Sequence, residues 1–223
     1  MIPFRDNIPS RSFPIITLLL ITANCAVFWF ELSLGRHLNA ALYEFAVIPA
    51  RFQLPASPAT ISSNGLDILT SMFLHGGWIH LIGNMWFLWI FGDNVEDVLG
   101  RGRFLIFYIC CGFIASLLHI YFNIDSPVPS IGASGAVAGV LGAYLVTYPF
   151  ARILTMVPLF FFWPVVELPA ILVLGSWFLI QLLNGTASLD PVMAVQSQVA
   201  WWAHVGGFLS GIVLLGLMKK RGR

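Results

Sequence analysis

Apolar residues fall in blocks about as long as a bilayer is thick, and the polar positions between the blocks are few. A span needs ~20 predominantly apolar residues at ~1.5 Å rise each. Six segments meet that need, at roughly 13–34, 72–91, 104–122, 134–150, 168–184 and 199–218. The pattern predicts an all-α, polytopic membrane protein with six transmembrane helices in a compact bundle. Residues 1–12 are then a short leading segment, 13–218 the membrane domain and 219–223 a basic tail. The stretch 35–71 reads as a long loop. Its scattered Phe45, Val47, Ile48, Phe52 and Leu54 make it too apolar for a free linker, so it is expected to pack on or dip into the bilayer surface. Residues 151–167, with Phe160, Phe161, Phe162 and Trp163 between prolines, read as interfacial. The first block is too long for a signal-peptide core and lacks a small-residue cleavage site, so it reads as a retained span.

Composition sharpens this picture. Of 223 residues 58% are hydrophobic and only 9% charged, where a soluble domain carries about 25% charged residues. A net charge of +1 gives no reason to expect a nucleic-acid partner. Cys25, Cys110 and Cys111 all lie in apolar runs without Cys-x-x-Cys spacing, and read as small core residues. Orientation follows from Lys and Arg. With six spans, Arg5, Arg11, Arg101, Arg103, Arg152, Lys219, Lys220, Arg221 and Arg223 share one side, and only Arg36 and Arg51 take the other. Both termini are therefore expected in the cytoplasm, with 35–71, 123–133 and 185–198 facing outward. No internal repeat or inverted symmetry suggests a transporter.

Polar groups inside spans demand a reason. His80 and Asn84 lie four apart in the second span and share a face. Ser134 opens the fourth span and His204 lies in the sixth. His80 precedes Asp93 by 13 residues, His204 precedes Lys219 by 15 and Ser134 precedes Arg152 by 18. Those counts correspond to roughly 20, 22 and 27 Å of helix, which places all three in the outward half of a core ~30 Å thick. Gly135 and Gly139 flank the Ser134 face, and Gly207 and Gly211 lie on the His204 face, so these two backbones can approach closely. Each residue also has a bland reading. Serine and glycine are ordinary packing residues of membrane helices, and a single histidine can be a satisfied core residue. His75 reads as interfacial and His119 as structural, while Glu96, Asp97, Arg101 and Arg103 read as a salt-bridged or solvated cytoplasmic cluster. Co-occurrence at one depth favours chemistry. A serine needs an adjacent base to become a nucleophile, and His204 is the one base that glycines allow near Ser134. The oxyanion from attack on a carbonyl needs donors, which Asn84, His80 and the Ser134 backbone N–H offer at a helix start. The parts list is that of acyl transfer, with water as the second reactant and no metal or other cofactor.

At these residues the chain resembles the rhomboid family of intramembrane serine proteases. The matching motifs are His80-x-x-x-Asn84, Gly132-x-Ser134-Gly135, and Ala203-His204-x-x-Gly207-x-x-x-Gly211. The run "NVEDVLGRGRFLIFY" after the second span is also similar to the family's, and the likeness covers about residues 60–217. The resemblance implies a Ser134–His204 dyad, an oxyanion site using His80 and Asn84, and substrates that are single-span membrane proteins in the lipid bilayer. It further implies lateral substrate entry beside the fifth span, with Trp177 and Phe178 in a gate, and a place in the bacterial inner membrane. Several members carry an aromatic residue four positions after the serine, stacked on the histidine. Here that position is Ala138, so the imidazole must be braced otherwise. Many members also have a Trp-Arg pair in the first outward loop, which is absent here.

Two other readings use the same residues. One is a catalytically inactive rhomboid-like chaperone or adaptor that binds membrane helices; such relatives lack the serine or the histidine, and both are present here. The other is a metal or proton carrier built on His75, His80 and His204, which lacks an intramembrane acid to complete a relay or ligand set. The sequence leaves the oligomeric state open.

Overall fold

A computed structural model describes residues 1–53, 58–159, 161–190 and 199–219, with the backbone alone over 58–63. Residues 54–57, 160, 191–198 and 220–223 lie outside the described residues. These include Leu54, Phe160, most of the last outward loop and most of the basic tail.

Chain order is β1 (Ile2–Asp6), α1 (Ile15–Ser33), α2 (Leu38–Phe45), α3 (Pro58–Ser71), α4 (Trp78–Leu99), α5 (Arg101–Phe122) and α6 (Ser134–Thr147). It continues with β2 (Arg152–Met156), β3 (Val165–Pro169), α7 (Ala170–Ala187) and α8 (Trp201–Met218). The protein is mostly helical, and a helix stands at each of the six expected segments. Four of them, α1, α5, α7 and α8, are long and apolar enough to cross a membrane. α6 is apolar but only 14 residues long, and α4 is interrupted by His80, Asn84, Asp93 and Asn94. Length and composition therefore support four spans rather than fix the count at six. The second segment is also displaced from its expected bounds. Gly77 at φ 157° precedes the first turn of α4, and the helix runs on past residue 91 to Leu99. Gly100 at φ 79° then breaks the chain before α5, a conformation that costs glycine nothing sterically.

α8 packs along both α5 and α6, so α6 sits at the centre of the bundle. From Gly135 to Tyr144 every residue of α6 is buried. A helix buried all round cannot show an amphipathic stripe, and its small residues set how near its neighbours come.

Three features were not in the sequence pattern. The leading segment pairs as β1 with β2, and β2 with β3, in an antiparallel sheet of order β1-β2-β3. Residues 151–167 thus hold β2 and the start of β3, while Leu159, Phe161, Phe162 and Trp163 at the β2–β3 turn stay exposed. The stretch 35–71 is not a plain loop but holds α2, α3 and short 3₁₀ turns at Gly35–His37 and Pro49–Gln53. Val47 exchanges two backbone hydrogen bonds with Ser130 (3.2 and 2.7 Å), and Gly132 N–H donates to the Ser71 carbonyl at 2.8 Å. This stretch therefore clamps the turn that leads into α6.

Glu96 and Asp97 are also not simply solvated. Glu96 is 2% exposed and accepts from Ile16 N–H (3.1 Å), Thr17 N–H (2.8 Å) and the Thr17 hydroxyl (2.8 Å). A carboxylate from α4 thus caps the first turn of α1, where N–H groups lack intrahelical partners and the helix dipole favours an anion. Asp97 accepts from the backbone N–H groups of Arg11 and Ser12, and the Arg103 guanidinium donates to the Met218 carbonyl at 3.0 Å. Arg152 and Glu167 form an exposed ion pair, 3.4 Å apart.

Asp6 of β1 accepts a hydrogen bond from the Tyr144 hydroxyl of α6. Burial pushes the Asp6 carboxyl up to about 6 from an ordinary 3.8, and the tyrosine bond offsets part of that rise. The fold therefore prefers the neutral acid. Its contribution is complete below the unfolded value near pH 4 and is lost as pH climbs through about 6. Asp6→Asn is expected to raise the melting temperature in detergent at about pH 8, with the gain shrinking to nothing near about pH 4. Melting curves of the two proteins that stay parallel across that range would contradict this placement of Asp6.

Candidate active site

The site is assembled at the end of the bundle away from the sheet and both chain ends. α4, α6 and α8 all begin there. The Ser134 Oγ and His204 Nε2 lie 2.9 Å apart, joining α6 to α8. Both side chains are partly exposed.

Backbone proximity makes this contact. A Cβ built on Gly207 would fall 1.9 Å from the Gly135 carbonyl oxygen, and one on Gly211 would fall 2.0 Å from that of Gly139. On the α6 side, a Cβ on Gly135 would meet the Ala115 Cβ at 2.6 Å, and one on Gly139 the Cys111 Sγ at 2.5 Å. Gly135 and Gly139 thus let α5 approach, while Gly207 and Gly211 let α6 and α8 touch backbone to backbone.

His80 and Asn84 converge on the turn before Ser134. Gly132 has φ 124°, and a Cβ there would lie 2.6 Å from His80 Nε2 and 3.6 Å from Asn84 Nδ2. No other residue type fits that turn. Gly76 N–H donates to His80 Nδ1 at 3.4 Å. That nitrogen is therefore the acceptor, and Nε2 carries the proton that faces Gly132. Asn84 Nδ2 is 3.1 Å from His75 Nε2. An amide nitrogen only donates, so His75 Nε2 accepts, and its Nδ1–H donates to the Phe73 carbonyl at 3.2 Å. One Asn84 N–H is used in this way, and the second has no partner among the described residues.

His75 is thus a buried, hydrogen-bonded residue of the fold. It is 2% exposed, and its backbone N–H donates to the Glu31 carboxylate at 3.1 Å. His119 bonds Asn123, its neighbour one helical turn on. Asp125 accepts from Gln53 Nε2 at 2.7 Å.

Trp177 and Phe178 stand on α7 beside the histidine. The Trp177 ring lies 5.8 Å from the His204 ring, and Phe178 stacks on Phe208 of α8 at 4.5 Å. Gln181, which the sequence reading passed over, is 6% exposed and turns its Oε1 to His204 Nδ1 at 2.8 Å. An amide in the middle of an apolar span, one of two in this helix with Asn184, was the signal for it.

The profile of the Rhomboid domain matches residues 63–221, which contain Ser134, His204, His80, Asn84 and Gln181. The chain belongs to the rhomboid family. It is 46% identical over 78 residues to "Rhomboid protease GluP" of Bacillus subtilis, covering 35% of this chain and 15% of that protein. It is 30% identical over 135 residues to "Putative rhomboid protease YdcA" of the same species, covering 60% and 63%. Identity is also 30% over 159 residues with "Presenilin-associated rhomboid-like protein A, mitochondrial" of Danio rerio, covering 68% and 37%. The matched part is under two thirds of the length of each of these relatives. As a rhomboid with apolar helices, the chain is embedded in a membrane.

Proposed function

We propose that the chain is an intramembrane serine endopeptidase that cleaves single-span membrane proteins with a Ser134–His204 dyad. The observation that carries this reading is the 2.9 Å contact between Ser134 Oγ and His204 Nε2, made between two helices of a rhomboid domain. His204 Nε2 takes the serine proton as Oγ attacks the scissile carbonyl. The developing oxyanion is met by the His80 Nε2–H, the free Asn84 N–H and the Ser134 backbone N–H at the start of α6. The protonated Nε2 then gives its proton to the leaving amine, and water entering from the outward side hydrolyses the acyl-enzyme. Metal and other cofactors have no part in this sequence, so chelators are expected to leave the rate unchanged. Trp177 and Phe178 on α7 serve as the side gate for a substrate helix.

The charge bias supports cytoplasmic termini for residues 1–12 and 219–223, with the stretch 35–71 facing outward. A bacterial plasma membrane is the place proposed for the chain; the relatives include both the two Bacillus proteins and mitochondrial ones.

Reconstitution with generic single-span substrates in lipid vesicles tests the activity. Product fragments are expected from the wild type. Asn84→Ala is expected to slow turnover by ~10²–10³-fold without erasing it, since two other donors remain. A folded Asn84→Ala protein with wild-type kinetics would make Asn84 only the hydrogen-bond partner of His75.

A further inference from the structure

We infer that Gln181 is the positioning residue of the catalytic base, fixing the His204 tautomer so that Nε2 is the acceptor for Ser134; this rests on the protease reading above. The Gln181 amide has two ends with different partners. Its Nε2 donates to the Trp177 carbonyl one turn back at 3.2 Å, and its Oε1 faces His204 Nδ1 at 2.8 Å. Turning the amide over would set its oxygen against the Trp177 carbonyl oxygen, two acceptors with no proton between them. The helix therefore fixes which end faces the histidine. An acceptor at Nδ1 requires that Nδ1 carry the proton, which leaves the lone pair of the neutral ring on Nε2, 2.9 Å from Ser134 Oγ.

The surroundings leave this task to Gln181. Position 138 is alanine, whose Cβ lies 3.2 Å from where a Cβ on Gly207 would stand, and it has no ring to stack on the imidazole. Trp177 flanks the imidazole at 5.8 Å and Trp201 meets it edge-on at 6.3 Å. Aromatic faces hold the plane of the ring but do not distinguish its two nitrogens. Gln181 is buried, so water does not compete for the bond. In the attack step the Ser134 proton moves to Nε2, and the ring becomes an imidazolium whose Nδ1–H still points at an amide oxygen. In the collapse step that Nε2 proton leaves with the amine, and the ring returns to the same tautomer. The amide accepts throughout and never takes a proton.

The test reads the ring directly. Protein labelled with ¹⁵N-histidine, in detergent, is measured at neutral pH, with His204→Ala used to assign the His204 signals. Wild type is expected to show a protonated Nδ1 and a bare Nε2. Gln181→Leu, of similar size but without an acceptor, is expected to lose that pattern. Its kcat is expected to fall about tenfold, the worth of one net hydrogen bond, with KM unchanged. A wild-type His204 protonated on Nε2 would overturn the proposal whether or not the variant folds, as would a folded Gln181→Leu protein with the wild-type pattern and kcat. If the tautomer shifts as expected but the wild type cleaves nothing, the positioning role stands and the protease reading falls.

Discussion

Gly211→Ala is expected to disrupt the bundle and to abolish cleavage, although it adds a single methyl group. The atom that the new Cβ would strike is the Gly139 carbonyl oxygen at 2.0 Å, with the Gly139 carbonyl carbon and Cα both at 2.6 Å. Backbone cannot rotate out of the way as a flexible side chain can. α6 and α8 would have to separate by an ångström or more along a seam where Gly207 meets Gly135 and Gly142 meets Phe208 in the same fashion. Overpacking ordinarily costs ~1–3 kcal/mol, and here it falls on the interface that holds Ser134 and His204 together. A misplacement of ~1 Å between reacting groups costs ~10²-fold in rate. Melting temperature in detergent and cleavage rate should therefore fall together. Gly216→Ala is the control. It lies on the same helix with open space around its Cβ position, and both measurements should stay at wild-type values. A Gly211→Ala protein that melts and cleaves like wild type would mean that the seam is looser than described.

Why Ser134 and His204 could be paired from sequence is clear from that seam. Gly207 and Gly211, one and two turns after His204, and Gly142, two turns after Ser134, announce a close helix–helix contact, and contact is what the chemistry requires. The partner of the other histidine nitrogen was not legible. Gln181 has no patterned neighbours, and its value comes only from the direction its amide takes once Trp177 has claimed the other end. Glu96 misled for a different reason. Next to Asp97, Arg101 and Arg103 it has the look of a solvated cluster, but its partners are Ile16 and Thr17 about 80 positions earlier. β1 escaped for the same cause, since a five-residue strand that pairs with Arg152–Met156 carries no local signal of its partner. In the stretch 35–71, prolines and short elements broke any periodicity that α2 and α3 might have shown. Local pattern and small-residue spacing were readable, and contacts across the chain through one polar atom were not.

Ser134→Ala and His204→Ala carry the other large effect. Each is expected to reduce cleavage to background while the folded domain survives, because neither side chain fills a large volume in the seam. Members of one catalytic unit are not additive, so the double variant should be no slower than either single one. A hydrogen-bonded Ser–His pair kept only for packing would behave otherwise, with cleavage unaffected by either loss. The most direct measurement is the cleavage rate of a single-span substrate by purified wild type and purified Ser134→Ala in the same lipid vesicles, with the products read by mass. The account predicts defined fragments from the wild type and none from the variant. Comparable fragments from a folded Ser134→Ala protein would contradict it.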